Sequence, residues 1–319
     1  MTRKRTLPKE PVVQPSGRRK LSVGTTVAAG LPLALSMVPA ALDAARSTPT
    51  SAPSVTASSA PATVAALFKP GCQLPFDSIK TAGLEVDAKC TSDGNSGNDI
   101  KKRLENNAKN NFCAVGTPRP ITYEDFKGLQ QASDNIPGLQ NALKESRNAL
   151  LKIFPADQPT IGEGTLVQFV AFVAHARHSN VGKGKGENVN CKLTTREDND
   201  IHIEMRMDPT DDDPCNGVTA EMSPHFRPDV WNELVRMEIA RPVRITGPLF
   251  FDNSHHPCRG DVRPNPKRIS VWEIHPVYQF EICKDSKVTK LPSPACDVRT
   301  NAHWIPLDQW QSEDKEVEP

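Results

Sequence analysis

The spacing of apolar residues changes about halfway along the chain, from the three-to-four-residue repeat of helices to the alternation of strands. In the first half, Ile100, Leu104 and Ala108 recur in NDIKKRLENNAKNN and predict a weakly amphipathic helix. Thr122, followed by Tyr-Glu-Asp, offers an N-cap with acidic residues in the first turn, and Phe126, Leu129 and Ala132 then share a face. Pro137 opens a third helix, in which Leu139, Leu143, Leu150 and Ile153 form one stripe before Pro155 stops it. Three helices of this size cannot enclose a large core, so they are expected to pack on the second half of the chain.

From Gly162 the pattern is that of strands. GTLVQFVAFVAHARHS is apolar on both faces in its middle and polar at its end, as in a strand that bends between two sides of a small barrel. The run GKGKG (182–186) has turn chemistry and lacks the Gly-Lys-Ser/Thr ending of a phosphate loop. NVNCKLT and DIHIEM come next as strands, the latter pointing Ile201, Ile203 and Met205 one way and His202, Glu204 and Arg206 the other. After the acidic loop DPTDDDPC and a short β-like piece, VTAEMS, the segment PDVWNELVRMEIA reads as a helix begun by Pro228. Its buried stripe is Val230, Leu234, Met237 and Ile239 or Ala240.

Arg241 to Cys283 holds two runs rich in β-branched and aromatic residues, joined by a loop dense in Pro, Gly, Asn and His, the signature of a long-looped antiparallel hairpin. Three strands, a helix and two strands is the order of a five-stranded antiparallel barrel of the OB type. The predicted class is α+β: a small OB-like barrel over residues 159–284, preceded by a cysteine-containing helical segment (67–158) and followed by an irregular tail (285–319).

Composition adds a compartment. Residues 1–44 carry seven Lys/Arg against Glu10 and Asp43, a net +5 that leaves the rest of a +1 chain at −4. Arg18-Arg19-Lys20 is followed by an apolar run closed by small residues, which reads as an export signal cleaved between Ala40 and Ala45, with no membrane span left after cleavage. Residues 45–66, almost wholly Ser, Thr, Ala and Pro, cannot bury enough apolar surface to fold and form a disordered linker. The eight cysteines (Cys72, Cys90, Cys113, Cys191, Cys215, Cys258, Cys283 and Cys296) all lie after the signal and include no C-x-x-C pair. In an exported chain, periplasmic or extracellular, that pattern predicts disulfides rather than a zinc or redox centre.

Candidate chemistry gathers in the hairpin. His255 and His256 come three and four residues after Asp252, while Glu273 and His275, two apart on the returning strand, share a face. These groups could assemble an oxygen-and-nitrogen site for a transition metal, the one cofactor the residues offer, and the metal could activate water. If Asp252 faces Arg268, Glu273 falls opposite Gly247. In the alternative, Trp272 and Ile274 are core, and Glu273 and His275 fill a polar structural face. Lys192, Thr194, Arg196, His202 and Arg206 form a further polar stretch, but no aromatic lies between Asn188 and Met207 to stack a base. With the acidic balance, that disfavours nucleic acid. Asp208, Asp211, Asp212 and Asp213 do not match an EF-hand spacing and read as a solvated loop.

The sequences TGPLFFDNSHH and SVWEIHPVYQFEIC resemble a pattern of exported bacterial proteins, a Thr-Gly-x-Leu-x-x-Asp…His strand followed by a Trp-Glu-Ile-His-Pro strand. The matching positions are Asp252, His255 or His256, Trp272, Glu273, His275 and Pro276, and Pro248 stands where that group often has Trp. The resemblance implies an OB-like barrel and export, and attaches no activity. Two functions are compatible with these residues. One is an exported binding or accessory module for a protein or glycan ligand. The other is a metal-dependent hydrolase, phosphodiesterase- or nuclease-like, working through Asp252, His255, His256, Glu273 and His275.

Overall fold

A computed structural model of the chain describes residues 89–155, 159–179, 185–225 and 227–310. The export signal, the linker, Cys72 and the end of the tail lie outside the described residues.

The helices come first. α1 (Ile100–Lys109) is capped by the Asp99 side chain, which accepts a hydrogen bond from the Lys102 amide. Its buried face is not the expected apolar stripe. Ile100 is 59% exposed, whereas Glu105, Asn106 and Asn107 are buried beside Leu104 and Ala108. A two-residue strand, β1 (Arg119–Pro120), then precedes α2 (Tyr123–Asp134), which opens on a reciprocal capping box between Thr122 and Asp125. α2 buries Phe126 and Leu129, and its Gln130 Oε1 accepts from the Val271 amide at 2.8 Å, docking the helix on the barrel.

The third predicted helix is reduced to the single turn α3 (Leu139–Ala142) and a 3-10 turn at Asn148–Leu150. Gly138 enters α3 in the left-handed region (φ 69°), and Arg147 leaves the helical path to hold Glu163. Leu139, Leu143 and Leu150 remain buried, so the stripe survives where the helix does not.

The strands close into a barrel. β2 (Leu166–His178) pairs antiparallel with β5 (Pro242–Phe251) along its first half and with β3 (Ile201–Arg206) along its second, the switch marked by an irregularity between Val173 and His175. β3 pairs with β4 (Val218–Met222), β4 with β6 (Trp272–Ile274), and β6 with β5, which closes the ring. The β4–β6 pairing is parallel, so the five-stranded barrel is mixed rather than purely antiparallel. β7 (Gln279–Cys283) continues the hairpin along the first half of β5, and β8 (Trp304–Pro306) adds to β7 within the segment expected to be irregular.

Three more local readings change. NVNCKLT forms turns, with Cys191 and Lys192 at positive φ, rather than a strand. Residues Asp229–Arg236 form a 3-10 helix that buries Trp231 and Leu234, whose spacing of three suits the 3-10 repeat. The hairpin register also differs, because Pro276 cannot donate to a ladder and separates β6 from β7; Glu273 pairs with Phe250, not with Gly247. Gly247 itself sits where a Cβ would lie 2.5 Å from the Pro276 carbonyl oxygen, so only glycine lets the chain cross there.

Alternation then sorts the faces. Ile201, Ile203 and Met205 of β3, Ala220 of β4, Leu249 and Phe251 of β5, and Trp272 and Ile274 of β6 point into the barrel and are buried. Phe251 and Trp272 meet edge to face at 5.3 Å. Disulfides Cys90–Cys191, Cys215–Cys258 and Cys283–Cys296 fasten the surrounding segments, and Cys113 is also disulfide-bonded. Among the described residues there is no free cysteine and no helix long and apolar enough to cross a membrane.

Candidate functional site

Turning Ile203, Ala220, Ile274 and Phe251 inward obliges their neighbours His202, Glu221, Glu273, His275 and Asp252 to point outward. α1 lies over this outer face, which explains its polar underside. Between helix and barrel is a chamber of ≈ 400 Å³ whose walls include Glu105, Lys109, Glu187, His202, Glu221 and Arg268.

Three hydrogen-bonded assemblies share its floor. In the first, Lys109 Nζ lies 2.8 Å from Glu221 Oε2 and 4.0 Å from Asp200 Oδ2. His275 Nε2 is 3.2 Å from Asp200 Oδ2 and 3.3 Å from Glu221 Oε2. His275 Nδ1 is 2.8 Å from the Lys109 carbonyl oxygen, so Nδ1 carries a proton and Nε2 faces the carboxylates. Burial alone would lower the Lys109 pKa, but the charges of Glu221, Glu273 and Asp200 outweigh it and raise it well above the usual lysine value. Glu221 is held well below the carboxylate range: burial opposes this, and His202 and Lys109 overcome it.

In the second assembly His202 lies between two carboxylates, with Nδ1 3.0 Å from Glu221 Oε1 and Nε2 3.1 Å from Glu187 Oε1. The Ser179 hydroxyl donates to Glu187 Oε1 and also approaches His202 Nε2, each at 2.5 Å. Burial works against the imidazolium, yet Glu221 and Glu187 together push its pKa up to about 10.

The third assembly is built on Arg268, itself buried, which donates to Glu273 Oε2 at 2.8 Å and to Asp252 Oδ2. Asp252 Oδ2 is also 2.6 Å from His255 Nδ1. Burial would raise the Asp252 pKa, but His255 and Arg268 hold it below the usual carboxylate value. Glu273 goes the other way: burial and the charge of Glu221 raise it well above that value, and its Oε1 has no hydrogen-bond partner among the described residues. Beside these, Arg147 grips Glu163, Asn253 and the Phe251 carbonyl, a strut between the α3 region and β5.

The five residues singled out in the hairpin are thus divided. Asp252, His255 and Glu273 gather around Arg268, whose guanidinium takes the place between the two carboxylates. His275 belongs with Asp200 and Glu221. His256 is exposed on a second hollow of ≈ 310 Å³, beside Gln130, Ser133 and Gly138. Lys192, Thr194 and Arg196 lie in the loop before β3, and Arg206 pairs with Glu204. In the acidic loop Asp208 accepts from Thr210, Asp211 from Asn216, and Asp213 pairs with Arg263.

Sequence reasoning missed Lys109, Glu187, Asp200 and Glu221, and read His202 only as part of a polar stretch. The alternation that turns His202 outward also turns Glu221 outward, but nothing in the sequence says that α1 covers them. Among the described residues, the side chains placed to share a metal ion are Asp200, Glu221 and His275, whose donor atoms lie within 4.8 Å of one another. Compared with known proteins, the chain matches no family model, no curated protein and no solved structure.

Proposed function

We propose that the chain is an exported, disulfide-stabilised binding module on an OB-like barrel, and that its ligand is a small, hydroxyl-rich anion of the acidic-saccharide class. The observation that carries this reading is the chamber under α1. Its ≈ 400 Å³ is of ligand size. Most floor charges are paired with one another, whereas the rim presents the exposed cations Lys102, 3.8 Å from Asp99, and Arg177, and the amide of Asn265. A ligand anion would meet the rim, and its hydroxyls would meet the polar walls. Export is supported by the basic and apolar composition of residues 1–44 and by cysteines paired in disulfides.

The hydrolase reading through Asp252, His255, Glu273 and His275 has less support, because the Arg268 guanidinium occupies the space between the first and third of these and His275 faces other partners.

Isothermal titration calorimetry of the mature protein with uronic acids, sugar phosphates and matched neutral sugars tests the proposal. Saturable binding of acidic members, weakened at least tenfold in Arg177→Glu, is the expected result. Equal response to neutral sugars, no response to any member, or an unaffected Arg177→Glu variant would overturn it.

A further inference from the structure

We propose that Asp200, Glu221 and His275 bind one divalent transition metal, of which zinc is the type case, by displacing the Lys109 ammonium. Metal binding at these three side chains does not depend on which ligand the chamber takes.

Three donor atoms converge: Asp200 Oδ2, Glu221 Oε2 and His275 Nε2. Each ligand is also held from behind by a different partner. Asn190 Nδ2 donates to Asp200 Oδ1 at 3.0 Å, His202 Nδ1 donates to Glu221 Oε1 at 3.0 Å, and His275 Nδ1 donates to the Lys109 carbonyl at 2.8 Å. Outer partners of this kind fix the tautomer of a metal-binding imidazole and the orientation of its carboxylates. Their presence on all three ligands distinguishes the group from a chance cluster of acids.

Charge points the same way. A histidine whose Nδ1 hydrogen is engaged turns its Nε2 toward two carboxylate oxygens, an arrangement that needs a proton or a cation between them. The His202 imidazolium already faces Glu221 Oε1, and Lys109 Nζ supplies the positive charge against Glu221 Oε2, with Asp200 beyond it. It is borne on a flexible stem and lines the chamber, so the ammonium has a place to go when a metal enters. A divalent ion bound by two carboxylates and an imidazole is neutralised by its ligands. One nitrogen and two oxygens suit zinc, cobalt, manganese or iron(II) better than calcium, which takes six to eight oxygens.

The test uses the mature protein with disulfides intact, stripped with chelator and returned to chelator-free buffer. Zinc is titrated calorimetrically, and cobalt by its visible spectrum. One equivalent per chain is expected, with affinity at least tenfold tighter in Lys109→Met, because the competing cation is gone. Binding should be lost in Asp200→Asn and kept in a His255→Ala/His256→Ala double variant, with near-ultraviolet circular dichroism showing that each is folded. His275→Ala is the harsher probe. If it does not fold, the gain in Lys109→Met still decides the matter. No stoichiometric binding in wild type or Lys109→Met overturns the proposal. So does an unchanged affinity in Lys109→Met, or loss of binding in the His255/His256 variant.

Discussion

Raising the pH should loosen the fold through His202 before lysine or tyrosine chemistry intervenes. The imidazolium is held between Glu187 and Glu221, with its pKa raised from 6.5 to about 10. A raised value means that the stabilisation is fully present below the unfolded-state pKa and is lost as pH climbs to the folded one. Between those limits the folded chain carries up to one extra proton at this site, so stability falls by at most about 1.4 kcal/mol per pH unit. From pH 7 to 9.5 that is at most about 3 kcal/mol, and solvent screening lowers it toward ~2, because the side chain is 23% exposed. Lys109, raised well above its ordinary value, and Tyr278, raised by burial, titrate above this window. Guanidinium unfolding followed by tryptophan fluorescence, at half-unit intervals of pH, measures the slope. His202→Gln, which can still hydrogen-bond both carboxylates, should be less stable at pH 7 and nearly flat with pH. Parallel slopes for wild type and variant would refute the ion-pair argument.

Three further outcomes are expected from the buried charges and the crosslinks. Arg268→Met leaves the buried Asp252 carboxylate without its cation and Glu273 Oε2 without its donor, and should cost about 3–5 kcal/mol in urea unfolding. Glu273→Gln should stay within about 1 kcal/mol of wild type, because an amide resembles the protonated acid that burial favours there. The Cys90–Cys191 disulfide spans 101 residues of sequence. A Cys90→Ser/Cys191→Ser variant should therefore lose roughly 3–5 kcal/mol by chain entropy, and a loss under ~1 kcal/mol would show that the N-terminal segment holds without it.

The barrel was legible in the sequence because alternation is a local property. Ile201-His202-Ile203 and Trp272-Glu273-Ile274 announce their faces wherever the strands are finally paired. Thr122 was legible for the same reason, since a cap is decided within four residues. The parallel β4–β6 pairing was not legible, because it joins strands about fifty residues apart and leaves no local trace. The helix expected after Pro137 stops at Ala142, and the chain beyond it turns so that the buried Arg147 guanidinium reaches Glu163 and the Phe251 carbonyl, contacts between residues distant in sequence. The site was half legible. Asp252, His255, Glu273 and His275 stood out because they crowd one hairpin, but Lys109 and Glu105 looked like the wet side of a helix. Glu105 is buried and Lys109 half-buried because the surface α1 rests on is itself charged.

That inverted helix carries a thermodynamic consequence. Apart from Leu104 and Ala108, the underside of α1 buries carboxylate, ammonium and amide groups rather than hydrocarbon. Exposure of polar surface lowers heat capacity where apolar exposure raises it. Lifting α1 while the barrel stays closed should therefore show little or no positive heat-capacity change and respond to ionic strength, unlike melting of the Trp272-centred core. Two openings of one small protein would then be separable by calorimetry in salt.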